Sequence, residues 1–116
     1  MPMPENPKSK RRYQRIPTPK GLWVAWQYNN SQDVSRVRDL NVGGLFIATP
    51  IALPEGAIVQ VLLSVPEGEI KGQAVVRNVT PGEGIGVEFK DLPPQDADRL
   101  ERLVTRLLRA IPGEPA

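Results

Sequence analysis

The chain has 116 residues and a formal net charge of +2, enough for one domain with a single modest core. It contains no cysteine and no histidine, which excludes disulfides, thiolate metal sites and the most common general base. No apolar run approaches the roughly 20 residues of a membrane-spanning helix and no signal-peptide core is visible, so we expect a cytoplasmic protein without membrane insertion.

The first 20 residues differ in composition from the rest. They contain five prolines and six basic residues against one acidic residue, a formal charge of +5. Residues 21–116 carry nine basic and twelve acidic residues, a formal charge of −3. This contrast predicts a flexible basic arm over residues 1–20. Such an arm suits nucleic acid, anionic lipid or a small polyanion, but an acidic body argues against a nucleic-acid binder.

Short stretches with the two-residue alternation of β-strands follow the arm. They are separated by turn-forming segments, including one at 29–33 and one at 66–69. Six short strands at this spacing predict an antiparallel sandwich or small barrel. The predicted strands are 22–28, about 34–40, 45–48, 58–65, 70–79 and 85–89.

The periodicity changes to that of a helix over about 94–111, where apolar residues recur every three to four positions. Asp96 and Asp98 near its start and Arg106 and Arg109 near its end match the helix dipole. Pro112-Gly113 ends it, leaving 112–116 as a tail. We expect this helix to cover an open end or face of the barrel, the alternative being a partner-binding helix.

Two polar segments carry the chemistry. Arg11 and Arg15 form an R-x-x-x-R pattern in the arm, and the segment 39–44 reads D-x-N-x-x-G at the end of a strand. Guanidinium groups donate paired hydrogen bonds to phosphates and to the acceptor edge of guanine, whereas a carboxylate accepts from guanine's donor edge. Each pattern alone also fits a solvated arm or an ordinary turn. In a regular strand, Asp39 and Asn41 project from the same face.

In this order and spacing the two patterns resemble the PilZ domain family of bacterial cyclic di-GMP receptors, whose motifs are R-x-x-x-R and D/N-x-S-x-x-G. The resemblance extends from about Lys10 to about Arg109 and includes the segment 86–89, Gly-Val-Glu-Phe. It implies an all-β fold with a C-terminal helix, a six-stranded antiparallel β-barrel of PilZ type over residues 21–111.

The resemblance also implies roles for individual residues. Arg11 and Arg15 are expected to bind the phosphates and the O6/N7 edges of guanine, with Lys10 and Arg12 adding charge. Asp39 is expected to bind the donor edge of guanine, and Gly44 matches the family's glycine. Asn41 stands where the family usually has serine; it is longer and carries no hydroxyl, so it preserves, shifts or weakens the base contact. The residue before the first motif, here Lys10, helps to set whether one or two nucleotides bind.

Arg77 is a further candidate on the strand 70–79. Family members often place a tryptophan or arginine there to cover a base, and a guanidinium plane can stack on a purine. A solvated strand arginine is the competing interpretation. Trp23 and Trp26 lie on opposite strand faces, which predicts one core residue and one partly exposed residue.

Three functional hypotheses follow. The first is a non-enzymatic, single-domain cyclic di-GMP receptor without a further cofactor, which signals through ordering of its arm to a protein effector. The second is a PilZ-like protein–protein interaction module that has lost nucleotide binding. The third, a nucleic-acid binder, is disfavoured by the acidic body, and no nucleophile–base pair or metal set is available for an enzyme.

Overall fold

A computed structural model describes residues 16–18 and 21–109 of the chain. Lys10, Arg11, Arg12 and Arg15 lie outside the described residues. Within the described part there are seven strands and one helix. Their bounds are β1 (Ile16–Pro17), β2 (Trp23–Tyr28), β3 (Ser31–Asn41), β4 (Gly44–Ala48), β5 (Ile58–Val65), β6 (Gly68–Thr80), β7 (Gly84–Asp91) and α1 (Pro94–Arg109).

Six of the strands form a closed antiparallel barrel. Their order is β3-β2-β5-β6-β7-β4, and β4 pairs again with β3, so the ring is complete. This confirms the predicted six-stranded barrel with a C-terminal helix. The two residues of β1, which fall within the predicted arm, add to the edge of β3. Closure removes most unpaired strand edges, which would otherwise invite association with other chains.

The core is built by side chains that alternate along strands such as β2 and β5, and by four consecutive buried residues at the start of β4 and of β7. Along β2, Val24 and Trp26 are buried whereas Trp23 is 50% exposed, as the alternation predicts. The Trp26 indole N–H donates to Ser35 Oγ over 3.0 Å, which satisfies its polar atom inside the barrel. Other fully buried side chains are Val37, Leu40, Leu45, Ile47, Val59, Leu63, Ile70 and Ile85.

The hairpin turns are shorter than predicted. Only Asn29 and Asn30 connect β2 to β3, with Asn29 at a positive φ of 52°, and Tyr28 pairs with Ser31. The prediction of a turn over 29–33 was wrong because residues 31–33 are polar yet form an exposed stretch of strand. Similarly, the turn predicted at 66–69 ends early, because Gly68 pairs with Val65 and begins β6.

Helix α1 covers part of the barrel. Its apolar stripe, including Leu100, Leu103 and Leu107, is buried in the core. Strand β7 pairs with β6 only from Gln73 onward, so the start of β6 lacks a strand partner on that side. Side chains of α1 instead form hydrogen bonds with the backbone of this part of β6. Asp96 Oδ2 accepts from the Lys71 backbone N–H over 2.7 Å, and Arg99 donates to the Glu69 carbonyl over 2.9 Å. The helix is therefore a structural cover.

Candidate functional site

Asn41 builds the turn between β3 and β4. Its side-chain Oδ1 accepts hydrogen bonds from the backbone N–H groups of Gly43 and Gly44, over 2.7 and 2.8 Å, and the residue is 6% exposed. This is the local backbone cap that asparagine makes in turns. Asn41 thus has a structural role at the position where the family usually has serine, another residue that caps turns.

Asp39 lies two residues earlier on β3, on the face opposite the core. Leu40 between Asp39 and Asn41 is fully buried, so the two polar side chains project from the other face, as predicted. The register between β3 and β4 shifts between Val37 and Asp39, which makes Arg38 the extra residue of a β-bulge. Arg38 and Asp39 therefore both face outward although they are adjacent, and the buried residues on either side of them are Val37 and Leu40.

The glycine of the second motif is required by the barrel itself. A β-carbon on Gly44 would overlap the carbonyl oxygen of Val87 and stand 3.0 Å from the Glu88 α-carbon. In the structure, the backbone of β7 occupies that space.

An open groove of about 520 Å³ lies beside this turn, a volume typical of small-molecule sites. It joins the β3–β4 turn to β6 and β7 and brings together Asn41, Gly44 and Arg77 from the predicted set. A larger depression of about 710 Å³ on β2, β3, β5 and β6 contains none of the predicted residues. The groove is lined by residues 41–44, by Arg77 and Asn78, and by residues 86–89.

Arg77 stands at the rim of this groove. The register between β6 and β7 shifts between Val76 and Asn78, so Arg77 is the extra residue of a second bulge. Its side chain is 60% exposed, and its Nε donates to Glu88 Oε1 over 2.6 Å. Glu88 was not singled out from the sequence, since a glutamate on an exposed strand face has no local signature of a partner.

Asn78 and Gly86 form part of the groove floor and were also missed. A β-carbon on Gly86 would lie 2.7 Å from Asn78 Oδ1. The amide of Asn78 therefore occupies the space that a side chain at position 86 would need. Asn78 is exposed and offers both a donor and an acceptor to a ligand. A glycine inside a strand pattern was the available signal, because such a residue often marks a close approach.

Arg38 stacks on Phe46 beside the second motif. The guanidinium carbon is 4.1 Å from the ring centroid, and Nη1 lies 3.6 Å from Glu83 Oε1. Phe46 pairs with Asp39 across β3 and β4. Arg38 carries no signal in the sequence, because regular alternation does not reveal the bulge that turns both Arg38 and Asp39 outward.

The short strand β1 carries the chain past the second motif. Ile16 pairs with Leu40 and Pro17 pairs with Asp39. Thr18 continues the contact, since its backbone N–H donates to the Arg38 carbonyl over 3.2 Å and its hydroxyl donates to the Val37 carbonyl. The segment that immediately follows Arg15 in the sequence therefore lies beside Asp39.

Residues 16–18 and 21–109 contain neither a metal-binding cluster nor a membrane-spanning helix. In that part of the chain no group of acidic side chains is arranged to hold a metal ion. No helix there is long and apolar enough to cross a membrane.

Several solved structures share the fold of this barrel. The Bacillus subtilis inhibitor of motility (MotI/DgrA) aligns with a TM-score of 0.69 at 19% identity, over 85% of this chain and 53% of that one. The PilZ domain with c-di-GMP of YcgR from Escherichia coli aligns with a TM-score of 0.67 at 24% identity, over 86% of this chain and 92% of that one. The K. pneumonia MrkH–c-di-GMP complex aligns with a TM-score of 0.70 at 20% identity, over 85% of this chain and 52% of that one.

This chain therefore spans about half the length of the MotI and MrkH structures. The TM-scores establish a shared fold, and at identities this low the alignments show the fold alone. No curated protein matches the chain with significant sequence similarity. The family model for the PilZ domain, however, matches residues 9–106, which include both motifs and most of α1. The chain belongs to the PilZ domain family.

Proposed function

We propose that this PilZ domain is a cytoplasmic, non-enzymatic receptor for cyclic di-GMP that signals to a protein effector. The observation that carries the proposal is the pairing of Ile16 with Leu40 and of Pro17 with Asp39. It brings the chain that follows R-x-x-x-R alongside D-x-N-x-x-G, although 23 residues separate the two motifs.

Covalent geometry limits where the first motif can be. Consecutive α-carbons are about 3.8 Å apart, so Arg15 is tied to within one residue of Ile16 and hence to the end of β3 that carries Asp39 and Asn41. Arg11 is only four residues earlier. We propose that both guanidinium groups contact a ligand bound beside the β3–β4 turn.

The chemistry of the groove suits an anionic guanine nucleotide. Arg77 contributes a cation at the rim, and Asn78 contributes an amide that lies over Gly86 on the groove floor. Asp39, on the outer face of β3, is an acceptor for the N1–H and N2–H groups of guanine. Cyclic di-GMP presents two phosphodiesters and two guanines, which match the proposed arginines and carboxylate. Structures of YcgR and MrkH with c-di-GMP, both of the same fold, support this assignment.

Isothermal titration with cyclic di-GMP tests the receptor function. Arg11→Ala and Arg15→Ala should each remove charge-assisted hydrogen bonds worth about 1.5–3 kcal/mol, or roughly ten- to hundredfold in affinity. Asp39→Ala should weaken binding without unfolding the barrel. Arg102→Ala is the matched control, because Arg102 lies on α1 and pairs with Asp98. Equal affinities for all four variants and the parent would refute the receptor.

The alternative is a PilZ-like interaction module without nucleotide binding. One observation favours it: Trp23, Val34 and Ile58 are 50%, 59% and 45% exposed on the outside of the barrel. Exposed large apolar side chains are common at protein interfaces. A parent protein that gives no heat with saturating cyclic di-GMP would select this alternative.

A further inference from the structure

We infer that Glu88 is a positioning residue for the ligand, acting through Arg77. The inference rests on the proposed function, since the ligand concerned is cyclic di-GMP. Arg77 Nε donates to Glu88 Oε1 over 2.6 Å, at the edge of the groove that also contains Asn41 and Gly44. Neither residue belongs to either sequence motif.

The backbone of Glu88 is held from two sides. In the barrel it pairs with Gly44 on β4 and with Val75 on β6. Its α-carbon is therefore fixed between the second motif and the strand that carries Arg77. By contrast, Arg77 occupies a bulge, and its side chain is 60% exposed. The Glu88 side chain, itself 55% exposed, thus starts from a fixed backbone position, and its carboxylate can limit the rotamers that the long Arg77 side chain samples.

The contact uses only one of the three guanidinium nitrogens. Glu88 accepts from Nε, and within the described residues the two terminal nitrogens of Arg77 make no hydrogen bond. A guanidinium held through Nε presents its terminal N–H groups in a fixed plane. That plane can donate to the O6/N7 edge of guanine or to a phosphate oxygen, or it can stack on the base.

The negative charge of Glu88 should weaken ligand binding, whereas its positioning of Arg77 should strengthen it. A carboxylate in a groove for a dianion repels the phosphates, and Arg77 offsets that repulsion. The two effects can be separated by substitution. Glutamine keeps an oxygen that accepts from Nε but removes the charge, whereas alanine removes both. Positioning therefore predicts that Glu88→Gln binds at least as tightly as the parent and that Glu88→Ala binds more weakly.

A double-mutant cycle by isothermal titration with cyclic di-GMP tests the inference. Glu88→Ala and Arg77→Ala should each weaken binding about tenfold, and the double variant should be no weaker than Arg77→Ala alone, because Glu88 acts through Arg77. Glu88→Gln should stay within about threefold of the parent or bind more tightly. Glu101→Ala, which removes an exposed carboxylate from α1, is the charge-matched control.

The outcomes separate the two proposals. If the parent binds but Glu88→Ala binds equally well or more tightly, positioning is overturned and the receptor stands. A parent without binding overturns both. A second measurement needs no ligand: the Arg77 Nε–H signal in ¹⁵N–¹H spectra should exchange slowly in the parent and in Glu88→Gln, and rapidly in Glu88→Ala. Equal exchange in all three would also overturn the inference.

Discussion

Gly44 and Val87 face each other across β4 and β7 so closely that a β-carbon on Gly44 would overlap the Val87 carbonyl oxygen. The neighbour is backbone, which cannot move aside as a flexible side chain can. The motif glycine is thus a condition for barrel closure beside the groove at the β3–β4 turn. Substitution of this glycine should consequently affect stability, in addition to any effect on the proposed ligand.

Gly44→Ala should lower the free energy of unfolding by about 1–3 kcal/mol or more, as overpacking does in a tight interior. Urea denaturation measures this. Gly21→Ala is the control, because no atom lies within 4 Å of a β-carbon there, and it should change stability by less than about 0.5 kcal/mol. A Gly44→Ala protein as stable as the parent would show that β4 and β7 can separate without cost.

Substitutions at Asn41 should distinguish its structural role in the β3–β4 turn from its proposed contact with the ligand. Asn41→Ala leaves two backbone N–H groups without their acceptor and should cost about 1–3 kcal/mol of stability. Asn41→Ser should cost less, because a serine hydroxyl makes a similar but weaker turn contact. In titrations with cyclic di-GMP, Asn41→Ser should hold or improve affinity. A serine variant that folds normally but binds much more weakly would show that the asparagine amide itself contacts the ligand.

Asp96 should matter more to stability than its exposed neighbour Asp98. Asp96 is 6% exposed and accepts from the Lys71 backbone N–H, so Asp96→Ala should cost about 1–3 kcal/mol, and Asp96→Asn, which keeps an acceptor, should cost less. Asp98→Ala removes only an exposed pair with Arg102, worth about 0.3–0.5 kcal/mol. Thermal unfolding of the three variants checks the order. Equal losses at the two positions would contradict the role assigned to Asp96.

The Glu67–Arg106 pair should make stability depend on pH in the acid range. The hydrogen bond from the Arg106 guanidinium, at 2.6 Å, lowers the pKa of Glu67 below its ordinary value of 4.5. A carboxyl whose folded pKa is depressed stabilises the fold above its unfolded pKa, and this contribution is lost as the pH falls through the folded value. The free energy of unfolding should therefore fall with Glu67→Gln at neutral pH, by at most about 1 kcal/mol because Arg106 is partly exposed.

The difference between the parent and Glu67→Gln should shrink as the pH drops below 4.5 and disappear below the lowered folded pKa, where Glu67 is protonated in both states. Urea denaturation at several pH values measures it. Glu101→Gln is the control, since Glu101 is exposed on α1, the helix that carries Arg106. A difference that persisted unchanged in acid would mean that the glutamine acts through packing and not through the lost charge.

Ligand binding should protect the basic arm from proteolysis. If Arg11 and Arg15 bind one nucleotide beside β3, residues 10–15 become ordered against the barrel, which provides a signal that an effector can recognise. Trypsin cleavage within residues 11–20 should slow with cyclic di-GMP, and added salt should weaken the effect because charged contacts dominate. Equal cleavage rates at saturating ligand would refute arm docking even if binding were confirmed.

Local patterns in the chain predicted most of the architecture. The alternation of Val24 and Trp26 with exposed residues determined which side of β2 faces the core, and the spacing of Leu100, Leu103 and Leu107 determined the buried stripe of α1. The two motifs indicated Arg11, Arg15, Asp39, Asn41 and Gly44 as a set. Each of these inferences depends on neighbours within a few residues, where periodicity and turn chemistry act.

Relations between distant strands required the tertiary structure. The bulges at Arg38 and Arg77 come from the register between paired strands, and no local pattern encodes which residue a partner strand skips. The contact between Arg77 and Glu88, and its position beside Asn41, likewise depend on how β4, β6 and β7 align. The sequence alone determined which residues face inward and outward, whereas cross-strand packing decided which outward residues meet, because register is set by contacts between segments far apart in the chain.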